Sequence, residues 1–123
     1  MMRVALAALL IVHGVAHVVG FVVPWKLVST PEMLYKTTVF GGMLDAGDVG
    51  ARTLGIVWLT VAVGFVLIGG AVLTGLGARA WLFAMVMLSI GLCGAGWPEA
   101  RIGLVVNAAL LVALLAMPEL VAP

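Results

Sequence analysis

Apolar residues run almost unbroken over four stretches, about Val4 to Val23, Val49 to Leu73, Ala80 to Gly96 and Ile102 to Met117, and the polar residues collect between them. The first stretch matches the roughly 20 residues a helix needs to cross a hydrocarbon core of about 30 Å. Its end is marked by Pro24-Trp25-Lys26, a breaker, an interfacial aromatic and a snorkelling cation. Gly75-Leu-Gly-Ala-Arg79 is short enough to return the third helix antiparallel to the second. Trp97-Pro98-Glu99 closes the third helix and opens the fourth, with proline at a first-turn position. The fourth is short and spans with some thinning or tilt. The pattern predicts an all-α fold, an integral-membrane four-helix antiparallel bundle with one long first loop, and a single domain over residues 1–123.

Residues 26–48 form that loop, and two readings of it stay open. Ser29-Thr30-Pro31-Glu32 carries a helix-start signal of hydroxyl, proline and acid. Thr37-Thr-Val-Phe-Gly-Gly-Met-Leu-Asp45 places β-favouring residues around Gly-Gly and suggests a hairpin. Either way the segment lies on the bilayer surface and covers helix ends. Asp48 is the expected cap of the second helix, with Asp45 three residues before it. Gly64, Gly69, Gly70, Gly91, Gly94 and Gly96 offer small surfaces for close helix approach.

Composition agrees with a membrane protein: 65% of the 123 residues are hydrophobic and 9% charged, against about 25% charged in soluble domains. Six Lys and Arg against five Asp and Glu leave no basic face for nucleic acid. The single cysteine, Cys93, allows no internal disulfide. The amino-terminal stretch imitates a secretory signal, but the apolar run continues to Val23 without a convincing small-x-small cleavage site and carries both histidines, so a signal-anchor first helix is expected. Four spans put both termini and the 75–79 turn on one side. The raw positive count favours a cytoplasmic long loop. Without Arg52 and Arg101, which look committed to a site, the count ties, and we place both termini in the cytoplasm of a bacterial inner membrane.

The candidate chemistry gathers at the long-loop half. His13 and His17 lie four apart on one stripe of the first helix, in Ile11-Val-His-Gly-Val-Ala-His17. Asn107 enters the fourth helix about one and a half turns from the same side. Asp45, Asp48, Arg52, Glu99 and Arg101 sit at that face. For the histidines three readings compete: interhelical hydrogen bonding, proton relay or quinone contact, and haem or metal ligation. No Cys, Asp or Glu shares their depth to complete a tetrahedral metal site. Bis-histidine haem ligation would need a histidine on an opposing helix, which only a homodimer could supply. Arg52 and Arg101, each in a first helical turn, oppose the helix dipole and call for negative compensation. Caps and ion pairs with Asp48 and Glu99 would give it, as would an anion site for a lipid headgroup. Ser89, Thr60, Thr74 and Cys93 read as isolated mid-span residues, so no catalytic residues are assigned.

The assembled pattern resembles a family of small four-helix bacterial membrane proteins of uncharacterised function, sometimes loosely labelled transporter permeases. The resemblance is carried by Leu10-Ile-Val-His-Gly-Val-Ala-His-Val-Val-Gly-Phe21, Asp45-Ala-Gly-Asp-Val-Gly-Ala-Arg-Thr-Leu-Gly-Ile-Val-Trp58 and Gly96-Trp-Pro-Glu-Ala-Arg-Ile-Gly-Leu-Val-Val-Asn107. Glu99 stands where that family commonly has aspartate. The resemblance implies the four-span fold and no specific activity.

The expected function is therefore a non-enzymatic accessory or binding membrane protein, engaging membrane lipids or a partner membrane protein, or assembling with itself. The first alternative is a small four-helix transporter, although no acid precedes Glu32 to serve its first span. The second is a quinone- or haem-linked redox subunit using His13 and His17. No cofactor is assigned.

Overall fold

The computed structural model describes all residues, Met1–Pro123, and is an all-α arrangement of four principal helices. The first rod runs Met2–Val22, built from α1 (Met2–His17) and a single further turn, α2 (Val19–Val22). α3 covers Gly47–Thr74, α4 Arg79–Ala95 and α5 Arg101–Ala116, followed by a 3₁₀ turn at Pro118–Leu120. Met2–Val22 and Gly47–Thr74 are long and apolar enough to cross a membrane; α4 and α5 are shorter apolar helices. The apolar runs located every helix to within about two residues, since such ends fray over that range.

The ladder tightens where α1 gives way to α2. The His17 ring nitrogen Nδ1 lies 2.7 Å from the His13 carbonyl, one turn back, and the next amide, Val18, bonds Val15 O, three residues back. A side chain competing for a helix carbonyl is a known cause of such a local break.

α1 packs closely on α3, α3 on α4, and α4 on α5. Glycine makes the first of these contacts close. A Cβ on Gly14 would stand 2.8 Å from Ala62 O, and one on Gly69 would stand 2.7 Å from the Ile11 side chain and 3.1 Å from Ala7 O. The fourth side of the bundle, between α1 and α5, is the loosest. Leu6, Leu10, Phe65, Val72, Leu82, Val86, Leu110 and Leu114 form a packed core in the half nearest the termini. Both termini and the α3–α4 turn meet there: Ala78 N–H bonds Val121 O, and the Arg3 guanidinium reaches Glu119 O. Gly75 ends α3 in the left-handed region, φ 75°, and lets Leu76 N–H close back on Ala71 O.

The long loop resolves to the hairpin. Thr38–Val39 pairs antiparallel with Leu44–Asp45, and Phe40, Gly41 and Gly42 at positive φ make the bend. The helix-start signal at Ser29-Thr30-Pro31-Glu32 is spent on a turn, in which Met33 N–H donates to Thr30 Oγ1 at 3.0 Å. The hairpin docks on the end of α4, where Phe40 N–H bonds Ala95 O and Gly41 N–H bonds Trp97 O. It thus satisfies one carbonyl that the end of α4 leaves free, Ala95 O, and one in the turn beyond it.

Two expected helix starts are corrected. α3 begins one residue before Asp48, at Gly47 with φ 70°, so Asp48 lies in the first turn and caps nothing. Asp45 Oδ1 instead accepts the Gly47 N–H at 2.9 Å. α5 begins at Arg101, which leaves Pro98 in the preceding turn and not in the helix.

Candidate functional site

Four polar side chains are buried among the helices: His13, His17, Ser89 and Asn107. They form one network. His13 Nε2 lies 3.1 Å from Asn107 Oδ1, Asn107 Nδ2 donates to Ser89 Oγ at 2.9 Å, and Ser89 Oγ lies 2.6 Å from His17 Nε2. Cys93, one turn beyond Ser89, lies 3.7 Å from Asn107 Nδ2. Phe65 and Trp58 of α3 pack against the imidazoles, their ring centroids 5.0 Å from His13 and 5.1 Å from His17.

The direction of every hydrogen bond follows from one fixed acceptor. The His13 carbonyl can only accept, so His17 carries a proton on Nδ1. In a neutral imidazole Nε2 is then an acceptor, and Ser89 must donate to it. Ser89 has spent its only proton, so Asn107 turns its amide nitrogen towards Ser89 and its oxygen towards His13. His13 therefore carries its proton on Nε2, which leaves Nδ1 a bare acceptor. His17 has no free ring nitrogen, so the two histidines are not arranged to chelate one ion. No three His, Cys, Asp or Glu side chains converge to hold a metal ion.

Beside this network, on the loose side between α1 and α5, lies a cavity of about 430 Å³. That falls in the range of small-molecule sites, roughly 300–1,000 Å³. His13, His17 and Cys93 contribute to its depth, and Leu9, Val12, Val23, Leu54, Ile102 and Val106 supply apolar wall. Loop residues Met33, Leu34, Lys36 and Val39 reach over it, together with Glu99 and Gly96 from the α4–α5 turn. The packed core fills the other half of the bundle, so the cavity is confined to the half beneath the loop.

The charged residues sort differently from expectation. The one ion pair joins Lys36 to Glu99, 2.9 Å apart at the cavity rim. Lys36 also holds the Glu99 carboxyl below the usual carboxylate range. The Thr37 hydroxyl and the Gly47 N–H do the same for exposed Asp45. Asp48 accepts a hydrogen bond from the Tyr35 hydroxyl. Arg52 and Arg101 share no acidic group and are exposed. Arg52, in the second turn of α3 rather than the first, stands 4.7 Å over the Trp25 ring, whose N–H donates to the Arg52 carbonyl. The common anion cluster read from two acid-then-arginine patterns does not form, because a loop lysine 63 positions away takes Glu99 first.

Of the residues singled out beforehand, His13, His17 and Asn107 come together. Glu99 joins the cavity rim, and Asp45, Asp48, Arg52 and Arg101 lie outside the network. Ser89, Cys93 and Lys36 were not singled out as site residues. Ser89 was visible as a mid-span hydroxyl, yet nothing in the sequence says that α4 turns it towards α1 and α5. Comparison with protein-family models, curated proteins and solved structures finds no match.

Proposed function

We propose that this chain is a four-span membrane protein that binds a lipid-like amphiphile in the cavity between α1 and α5, with no catalytic step of its own. The observation that carries this reading is the cavity itself: apolar walls, a polar floor at His13, and a rim closed by Lys36 and Glu99. An amphiphile needs that sequence of surfaces, apolar along its body and polar at its tip. The membrane setting is supported by the outside of the bundle. Only about a third of each long apolar helix is buried, and Val63, Leu67, Trp81, Phe83, Val105, Val112 and Leu115 face outward. So much exposed apolar surface fits lipid as the solvent. We place the chain in a bacterial inner membrane with both termini, which share one end of the bundle, in the cytoplasm. A transporter of the small four-helix type is the weaker reading, because the helices hold no acid beyond Asp48 in the first turn of α3.

Native mass spectrometry of the chain released from mild detergent tests the reading. A retained or added single-chain amphiphile is expected to bind, and Val106→Trp, which fills the cavity from its wall, is expected to abolish binding with helicity and melting temperature kept. Leu67→Trp on the outer face serves as the control. A Val106→Trp protein that binds as well as the parent would refute the cavity as the site.

A further inference from the structure

His13 is 6% exposed and lines the cavity. Its Nε2 is committed to Asn107, and its Nδ1 has no protein partner. Every fully buried side-chain nitrogen and oxygen in the molecule is hydrogen-bonded, so Nδ1 keeps a patch of accessible surface, and the open space against His13 is the cavity. The other polar atoms of the floor are used. Both His17 nitrogens are paired, and both Asn107 amide protons point to Ser89 and Cys93. The relay of donors from the His13 carbonyl, through His17, Ser89 and Asn107, returns to the same residue and fixes its open nitrogen as an acceptor.

Resting on the reading of the cavity as an amphiphile site, we propose that its ligand is a neutral amphiphile tipped by a hydroxyl, whose O–H donates to His13 Nδ1. An ether, an ester or an ionised carboxylate presents only lone pairs to this atom and leaves a buried acceptor unmatched. A hydroxyl matches it on the floor of a largely apolar cavity, and unpaired polar groups are what let a site reject an analogue lacking the partner. The same chemistry is offered by a glycerolipid with a free hydroxyl and by a quinol. Asn107, Ser89 and His17 are positioning residues here, because they hold the His13 tautomer and their own protons are already donated.

Native mass spectrometry titrations would compare three matched pairs: a long-chain alkanol, a diacylglycerol and a prenyl quinol, each against its methyl ether. The hydroxyl member is expected to bind about tenfold tighter than its ether, the worth of one hydrogen bond to a buried acceptor. Whichever hydroxyl compound binds tightest names the source. In His13→Phe the preference should fall to about one while the ether still binds. If the parent binds alkanol and ether equally, the hydroxyl inference is wrong and the amphiphile reading stands. If it binds neither, both fall. Should His13→Phe fail to fold, ¹⁵N NMR of histidine-labelled parent protein decides. Nδ1 of His13 should resonate as an unprotonated nitrogen and shift on adding alkanol; a protonated Nδ1 would overturn the proposal.

Discussion

Asn107→Leu is the most informative single perturbation of the bundle. Asn107 is fully buried and supplies the one side-chain hydrogen bond between α1 and α5, to His13 across 94 residues of sequence. It also donates to Ser89. Leucine keeps the branched shape and is no smaller, so no cavity is left behind. Two interhelical hydrogen bonds disappear, each worth roughly 0.6–2 kcal/mol within a membrane. The His13 N–H is left without an acceptor, at about 1–3 kcal/mol for a buried polar group. These terms overlap, and the expected loss is about 2–4 kcal/mol. The second half of the argument is the coupling. His13→Phe removes the group that Asn107→Leu strands, so the double variant should cost less than the sum by about 1–2 kcal/mol. Reversible unfolding in mixed micelles, read by circular dichroism, measures all four corners of that cycle. Strict additivity, or an Asn107→Leu loss under about 0.5 kcal/mol, a size typical of surface changes, would show that the network does not hold α5 to α1.

The glycines should divide sharply by position. Gly14→Ala puts a Cβ 2.8 Å from a backbone oxygen that cannot yield, and a thermal melt should register a loss of about 1–3 kcal/mol. Gly70→Ala and Gly91→Ala meet open space and should leave stability unchanged or raise it by up to about 1 kcal/mol through helix propensity. Arg101→Ala should be nearly silent in the same melts, within about 0.5 kcal/mol, because the side chain is exposed and carries no ion pair. For Glu99 the folded-state pKa lies below the ordinary 4.5, so the Lys36 pair contributes above that value and is lost as pH falls through the lowered one. Both side chains are more than a third exposed, 39% and 35%, so the contribution is under about 1 kcal/mol. An acid titration of stability should flatten by that amount in Lys36→Met.

How much could be read from the chain alone follows from where each contact lies in sequence. Helix positions depend on local hydropathy and local breakers, and the four apolar runs marked them. His13 and His17 share a stripe through the helical repeat, a local property, and so could be paired on paper. Asn107 could be placed near their depth by counting turns. Ser89 could not, because its role depends on how α4 is rotated about its own axis, which is set by packing against α3 and α5. The charges misled for the opposite reason. Asp48 with Arg52, and Glu99 with Arg101, are neighbours in sequence, but proximity along the chain is not partnership in the fold. Lys36 reaches Glu99 only because the hairpin folds back onto the end of α4. The loop held a helix signal and a hairpin signal together; docking onto free carbonyls favoured the hairpin, which neither signal contains.

The bond between the earliest and the last helix also has a temporal meaning. His13 is synthesised long before Asn107, and α3, which shields the imidazoles with Phe65 and Trp58, offers neither ring a hydrogen-bond partner. His17 gains Ser89 when α4 arrives, but His13 waits for α5. Until α5 packs, then, the bundle carries an unanswered imidazole N–H, and Asn107 supplies its acceptor.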